Sequence, residues 1–303
     1  MINDIYLDAS IARILFFTIP AVVIIITIVL NVVHTKLSAK GHRKVLGWLV
    51  DPLPIKPIFE RRKGAADGNT PKPSLGKRVK YVLGQISLRF LFFILFAVLV
   101  AAGLELSVFL HEGGHGVIGE LVGGTWQLIR LGFFNGSCWV PLPLSIDPMD
   151  GPAYFISRSW ISVSGNLVET LFGTGFLLLL LVPQVKKSFF ASLFFLGEGF
   201  GGISTSLMAW YGQSWQVLYG NPLVNSDTRN FLSYQIFLAT GLDAANMLII
   251  TTAIMVPVVV VGILVPGLLW RVHYPKYRFS HWWFIGLVQA VWWAAFLATG
   301  SFF

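Results

Sequence analysis

Residues 84–124 read GQISLRFLFFILFAVLVAAGLELSVFLHEGGHGVIGELVGG, an apolar run that passes without a break into His111-Glu112-Gly113-Gly114-His115. Crossing about 30 Å of hydrocarbon at about 1.5 Å per residue takes about 20 apolar residues in a helix. The stretch 84–110 has that length, so the five polar and small residues stand at the end of a membrane span. This stretch sets the fold class: an all-α polytopic integral membrane protein with a chemically equipped helix.

The rest of the chain agrees with lipid as its solvent. Of 303 residues, 55% are hydrophobic and 12% charged, with a mean hydropathy of +0.72, far below the charge content of an ordinary soluble domain. Apolar segments predict about six transmembrane helices, at 11–33, 84–110, 157–182, 188–210, 238–270 and 282–302. Pro257 and Pro266 predict a kink in the fifth. The segment 84–123 exceeds one crossing, so it is either a long helix broken near Gly103 or a span followed by a re-entrant helix. The organisation that follows is an N-terminal anchor span (1–33), a basic loop (34–83), a membrane core (84–270), and a basic turn with a C-terminal span (271–303). No internal repeat divides the chain.

Charge sets the orientation. The chain carries a net +8, but 12 of its 22 Lys and Arg lie in residues 34–80 beside three acids. That clustering is a topology signal and does not call for nucleic acid as a partner. The basic connections 34–83, 183–187 and 271–281 are expected in the cytoplasm. Both termini and the HEGGH sequence then face the outer leaflet. The first ten residues hold Asp4 and Asp8 and no basic stretch, so the first span reads as an uncleaved anchor. The lone Cys138 has no internal partner for a disulfide or a thiolate metal site.

Residues four apart share a helix face, so His111 and His115 can point at one ion while Glu112 reaches a water beside it. Zinc lowers the pKa of a water it binds from about 15.7 towards 7, and the glutamate is placed to take its proton. With six His and six Glu in the chain, the HExxH pattern arises by chance in roughly two such chains per thousand. Catalytic zinc usually has three protein ligands and an open position. The acids at membrane depth are Glu105, Glu120, Glu169, Glu198 and Asp243. Asp243, at the outer end of the fifth span, is favoured as third ligand, with Glu169 and then Glu198 as alternatives. Gly113 and Gly114 each weaken a helix by about 1 kcal/mol relative to Ala, which calls for close approach of a substrate or of another helix.

After the motif helix comes TWQLIRLGFFNGSCWVPLPL, residues 125–144, where Asn135-Gly136 between β-prone runs predicts a small hairpin with its turn at that pair. A hairpin beside the motif offers an edge on which a peptide can be held extended, with its carbonyls presented.

In order, an apolar span ending in HEGGH, the small-residue continuation GVIGELVGG, a hairpin, a span with Gly165-Asn166 and a later span opening with Leu242-Asp243 resemble the site-2 protease family of intramembrane zinc metallopeptidases. The resemblance covers roughly residues 105–250 and departs at Ala244, where the family has glycine. It implies one zinc per chain held by His111, His115 and Asp243, with Glu112 as general base. It also implies Asn166 near the substrate, and a transmembrane or membrane-proximal peptide as that substrate. The contrasting expectation is a non-proteolytic membrane subunit or scaffold that keeps the metal site as a structural clip or relic. A transporter is disfavoured by the absence of repeated halves. A haem or di-iron protein is disfavoured because only His111 and His115 lie in an apolar segment.

Overall fold

In the computed structural model, residues 4–39, 74–132, 135–143, 151–179 and 227–243 are described, with isolated residues between 194 and 253. In chain order these form β1 (Ile5–Asp8), α1 (Ala9–Ala39), α2 (Leu75–Leu121), β2 (Leu128–Gly132), β3 (Asn135–Trp139), α3 (Pro152–Leu179) and α4 (Asp227–Phe237). The protein is mostly helical, with one small antiparallel sheet in the order β1-β2-β3. The expected spans at 188–210, 238–270 and 282–302 fall wholly or largely outside the described residues.

The long apolar run and its motif form one element. α2 has 47 residues, about 70 Å at 1.5 Å per residue, and continues through Gly103 to Leu121. Neither form expected for this segment is adopted: the helix has no break near Gly103 and no separate re-entrant part. It stops where the sequence turns to Gly123-Gly124. Gly123 takes a φ of +91°, its N–H donates to the carbonyl of Glu120 at 3.1 Å, and the Gly124 N–H donates to that of Gly119 at 2.7 Å. Those two bonds satisfy the last carbonyls of the helix, and glycine adopts the required φ without a Cβ penalty.

The N-terminus begins with a strand that the sequence pattern does not announce. β1 pairs with β2, Ile5 opposite Leu131 and Asp8 opposite Leu128. Asp4 joins the same contact through an ion pair to Arg130 at 2.7 Å. Asp8 then caps α1, its carboxylate accepting from the Ser10 N–H at 2.8 Å. Both helices enter the basic connection from its two ends: α1 continues past residue 33 to Ala39, and α2 starts at Leu75.

The hairpin expectation needs a correction of register. Asn135 pairs with Gly132 and Gly136 with Leu131, so Asn135-Gly136 opens β3 and does not form the turn. The glycine serves a steric purpose instead: a Cβ on Gly136 would come within 2.5 Å of the Glu112 side chain.

The core collects where α1, α2, the sheet and α3 meet, around Phe16, Phe109, Leu110, Trp126, Ile129 and Ile161. The glycines of the motif helix let these elements close in. A Cβ on Gly113 would fall 2.2 Å from the Phe16 ring of α1, and one on Gly114 would fall 2.9 Å from the Ser164 carbonyl oxygen of α3. Of the two uses anticipated for this pair, helix packing is the one seen. Further along the α1–α2 contact, Arg13 of α1 is ion-paired with Glu120 of α2.

Among the described residues, one stretch is long and apolar enough by length and composition to cross a membrane, Ala9–Ile26 within α1, with a mean hydropathy of 2.4. Only 22% of it is buried. Large apolar side chains are exposed along the other long helices as well, including Leu83, Phe90 and Val98 on α2 and Leu171 and Leu178 on α3.

Candidate metal centre

Three helices converge on one point. His111 and His115 lie one turn apart on α2, and α3 packs against that face. α4 packs on α3 through Leu232, which is buried against Val163, and through a bond from the Gln235 amide to the Ser159 hydroxyl at 3.0 Å. This docking brings Asp227, the first residue of α4, to the histidine pair. Asp227 Oδ2 lies 3.0 Å from His111 Nε2 and 3.1 Å from His115 Nε2, and the two Nε2 atoms are 3.1 Å apart.

The protonation of the rings follows from their far sides. His115 Nδ1 faces the carbonyl oxygen of Ile161, and His111 Nδ1 lies 3.2 Å from Glu169 Oε2. Both partners are acceptors, so each Nδ1 carries a hydrogen, and in the neutral rings each Nε2 then turns its lone pair inward. Two nitrogen lone pairs and a carboxylate oxygen, all acceptors, therefore meet in a triangle with 3.0–3.1 Å sides. Such a donor set calls for a cation. Donors held about 2.0 Å from a tetrahedral zinc ion stand about 3.3 Å apart, so the triangle is close to the face such an ion needs.

A glycine lets α3 come close to the histidine pair: a Cβ on Gly165 of α3 would fall 2.5 Å from His115 Nε2 and 2.6 Å from His111 Nε2. Beside His111, Glu112 is buried with its carboxylate against β3 at Gly136. Among the described residues no further strand pairs with the outer edge of β3.

Among the described residues the candidate metal triad is thus His111, His115 and Asp227, and the third member differs from the one favoured by sequence. Asp243 is exposed, and its carboxylate accepts from the Asn246 N–H at 2.7 Å, capping the residues that follow. Glu169 is at the centre but on the wrong ring nitrogen to share the ion. Glu198 lies outside the described residues. Asn166 is buried on α3 next to Gly165. Asp227 sits in a polar segment, NSDTRN at 225–230, apart from the acids at membrane depth among which the third ligand is expected. The signal for it in the sequence is positional: the expected topology gives that connection the same side as the histidines.

Cys138 of β3 also lies near Glu112. Burial, and then the Glu112 charge, push its thiol well above the ordinary range, so it is a poor nucleophile. Comparison with protein-family models, with curated proteins and with solved structures gives no match.

Proposed function

We propose that this chain is a multi-span membrane zinc endopeptidase of the site-2 protease kind, cutting transmembrane or membrane-proximal peptides near the outer leaflet. The observation that carries the reading is the meeting of two imidazole nitrogens and a carboxylate oxygen beside a buried glutamate, where Gly165 lets α3 come close. The exposed apolar rows on α1, α2 and α3 support several membrane crossings, because a water-soluble monomer rarely leaves so much apolar surface uncovered. The six-span topology, with the basic connections in the cytoplasm, is part of the proposal.

The donor set fits zinc: two neutral imidazoles and one carboxylate, with room for a fourth position. Bound there by His111, His115 and Asp227, zinc would supply Lewis acidity to a water and to a substrate carbonyl. Glu112 takes the proton of the attacking water and returns it to the leaving amine. β3 accepts the substrate as an added strand, which unwinds a helical peptide and sets its carbonyls beside Glu112. Gly136 lets that strand lie close to the glutamate, and Asn166 is available on α3 to contact the bound peptide.

The test is cleavage by the full chain, purified in detergent and added to a detergent-solubilised membrane extract, with new peptide termini read by mass spectrometry. Termini generated by the wild type and missing with Glu112→Gln, which keeps its metal, support the reading. Identical termini with both proteins contradict it and favour a scaffold with a structural metal clip.

A further inference from the structure

Glu169 is the acid that the metal triad leaves out, and its surroundings give it a different task. It is 3% exposed on α3, and both of its oxygens are committed to α2. Oε1 accepts from the Ser107 hydroxyl, and Oε2 faces His111 Nδ1 at 3.2 Å. Ser107, itself 1% exposed, stands one helical turn before His111 on the same face. Serine and histidine therefore grip the two oxygens of one carboxylate from one helix.

The other imidazole is held differently. His115 Nδ1 meets the Ile161 carbonyl oxygen, with the Ser164 hydroxyl 3.3 Å away. Ile161, Ser164, Gly165 and Glu169 recur at helical spacing, so one face of α3 carries both orienting acceptors and the glycine that lies close to both Nε2 atoms. We infer that Glu169 is a positioning residue that, steadied by Ser107, fixes the tautomer and tilt of His111 and raises the basicity of its ligating nitrogen. A carboxylate does this better than a carbonyl, because its charge strengthens the Nδ1–H bond and passes electron density into the ring. The inference rests on the metal-centre reading and goes beyond it by giving the two histidines unequal support.

Zinc affinity of the full chain in detergent, measured by competition with a chromogenic chelator, tests this for wild type, Glu169→Gln, Glu169→Leu, Ser107→Ala and Asp227→Ala. Loss of an outer partner of a ligating histidine typically weakens metal binding by about 10–100-fold. The expected order is Glu169→Gln about 10-fold weaker and Glu169→Leu about 100-fold weaker, each still binding one zinc at saturation, with Ser107→Ala a few-fold weaker. Gln fills the same volume and can still accept from Nδ1, so a residue that merely fills space would leave its affinity unchanged. Wild-type affinity in Glu169→Gln overturns the inference. So does the loss of stoichiometric binding in Glu169→Gln with retention in Asp227→Ala, which would make Glu169 the ligand. If Glu169→Leu fails to fold, Glu169→Gln and Ser107→Ala carry the comparison. A wild type that binds no zinc at all overturns the metal-centre reading, and this inference with it.

Discussion

Asp227 and Gly165 do opposite things at the same point, one supplying a donor and the other supplying nothing. Replacing Asp227 with Ala removes an inner ligand, and zinc affinity should fall by more than the roughly 100-fold expected for an outer partner. Asp243→Ala should leave affinity unchanged, because that carboxylate caps a neighbouring backbone N–H and is exposed. Chelator competition on the two variants separates them. Gly165→Ala should lower metal affinity, since its Cβ would press on both Nε2 atoms; near-wild-type metal content would contradict that close approach. His111 and His115 were legible because the helical period alone puts residues four apart on one face. Asp227 was not, because it lies 112 residues beyond His115, and only the docking of α4 on α3 brings it back. No period or motif records that contact.

At the scale of elements, the glycines of α2 are where the sequence trades helix propensity for approach. An alanine at Gly114 would gain about 1 kcal/mol in propensity, but its Cβ would press on backbone of α3 at 2.9 Å. Overpacking of this kind costs about 1–3 kcal/mol, so Gly114→Ala should lower thermal stability, and a rise would contradict the packing described. Gly136→Ala should act on chemistry instead. Its Cβ would meet Glu112, and a displacement of about 1 Å in a catalytic group can cost about 100-fold in rate. Turnover should fall on that scale while zinc content is retained. The helix α2 and a hairpin after it were legible from an apolar run and from alternating β-prone residues. β1 was not, because four residues are too short to show a period, and the register of β3 was misread because Asn-Gly normally marks a turn. Here the glycine serves the neighbouring glutamate.

For the molecule as a whole, the account requires the basic connection and the outer polar connection to lie on opposite sides of a bilayer. Single cysteines placed at Glu60 and at Pro148 should label from opposite sides with a membrane-impermeant maleimide. The native Cys138 should stay silent, because burial pushes its thiol up. Labelling of both from one side would contradict the topology. α1, with its apolar stretch Ala9–Ile26, was legible from composition as a helix long and apolar enough to cross a membrane. The central claim is the metal centre, and the most direct test is the zinc content of detergent-purified wild type, His115→Ala, Asp227→Ala and Asp243→Ala, by mass spectrometry of the metals. The account predicts about one zinc per chain in the wild type and in Asp243→Ala, with loss in the other two. No metal in the wild type, or loss in Asp243→Ala with retention in Asp227→Ala, would contradict it.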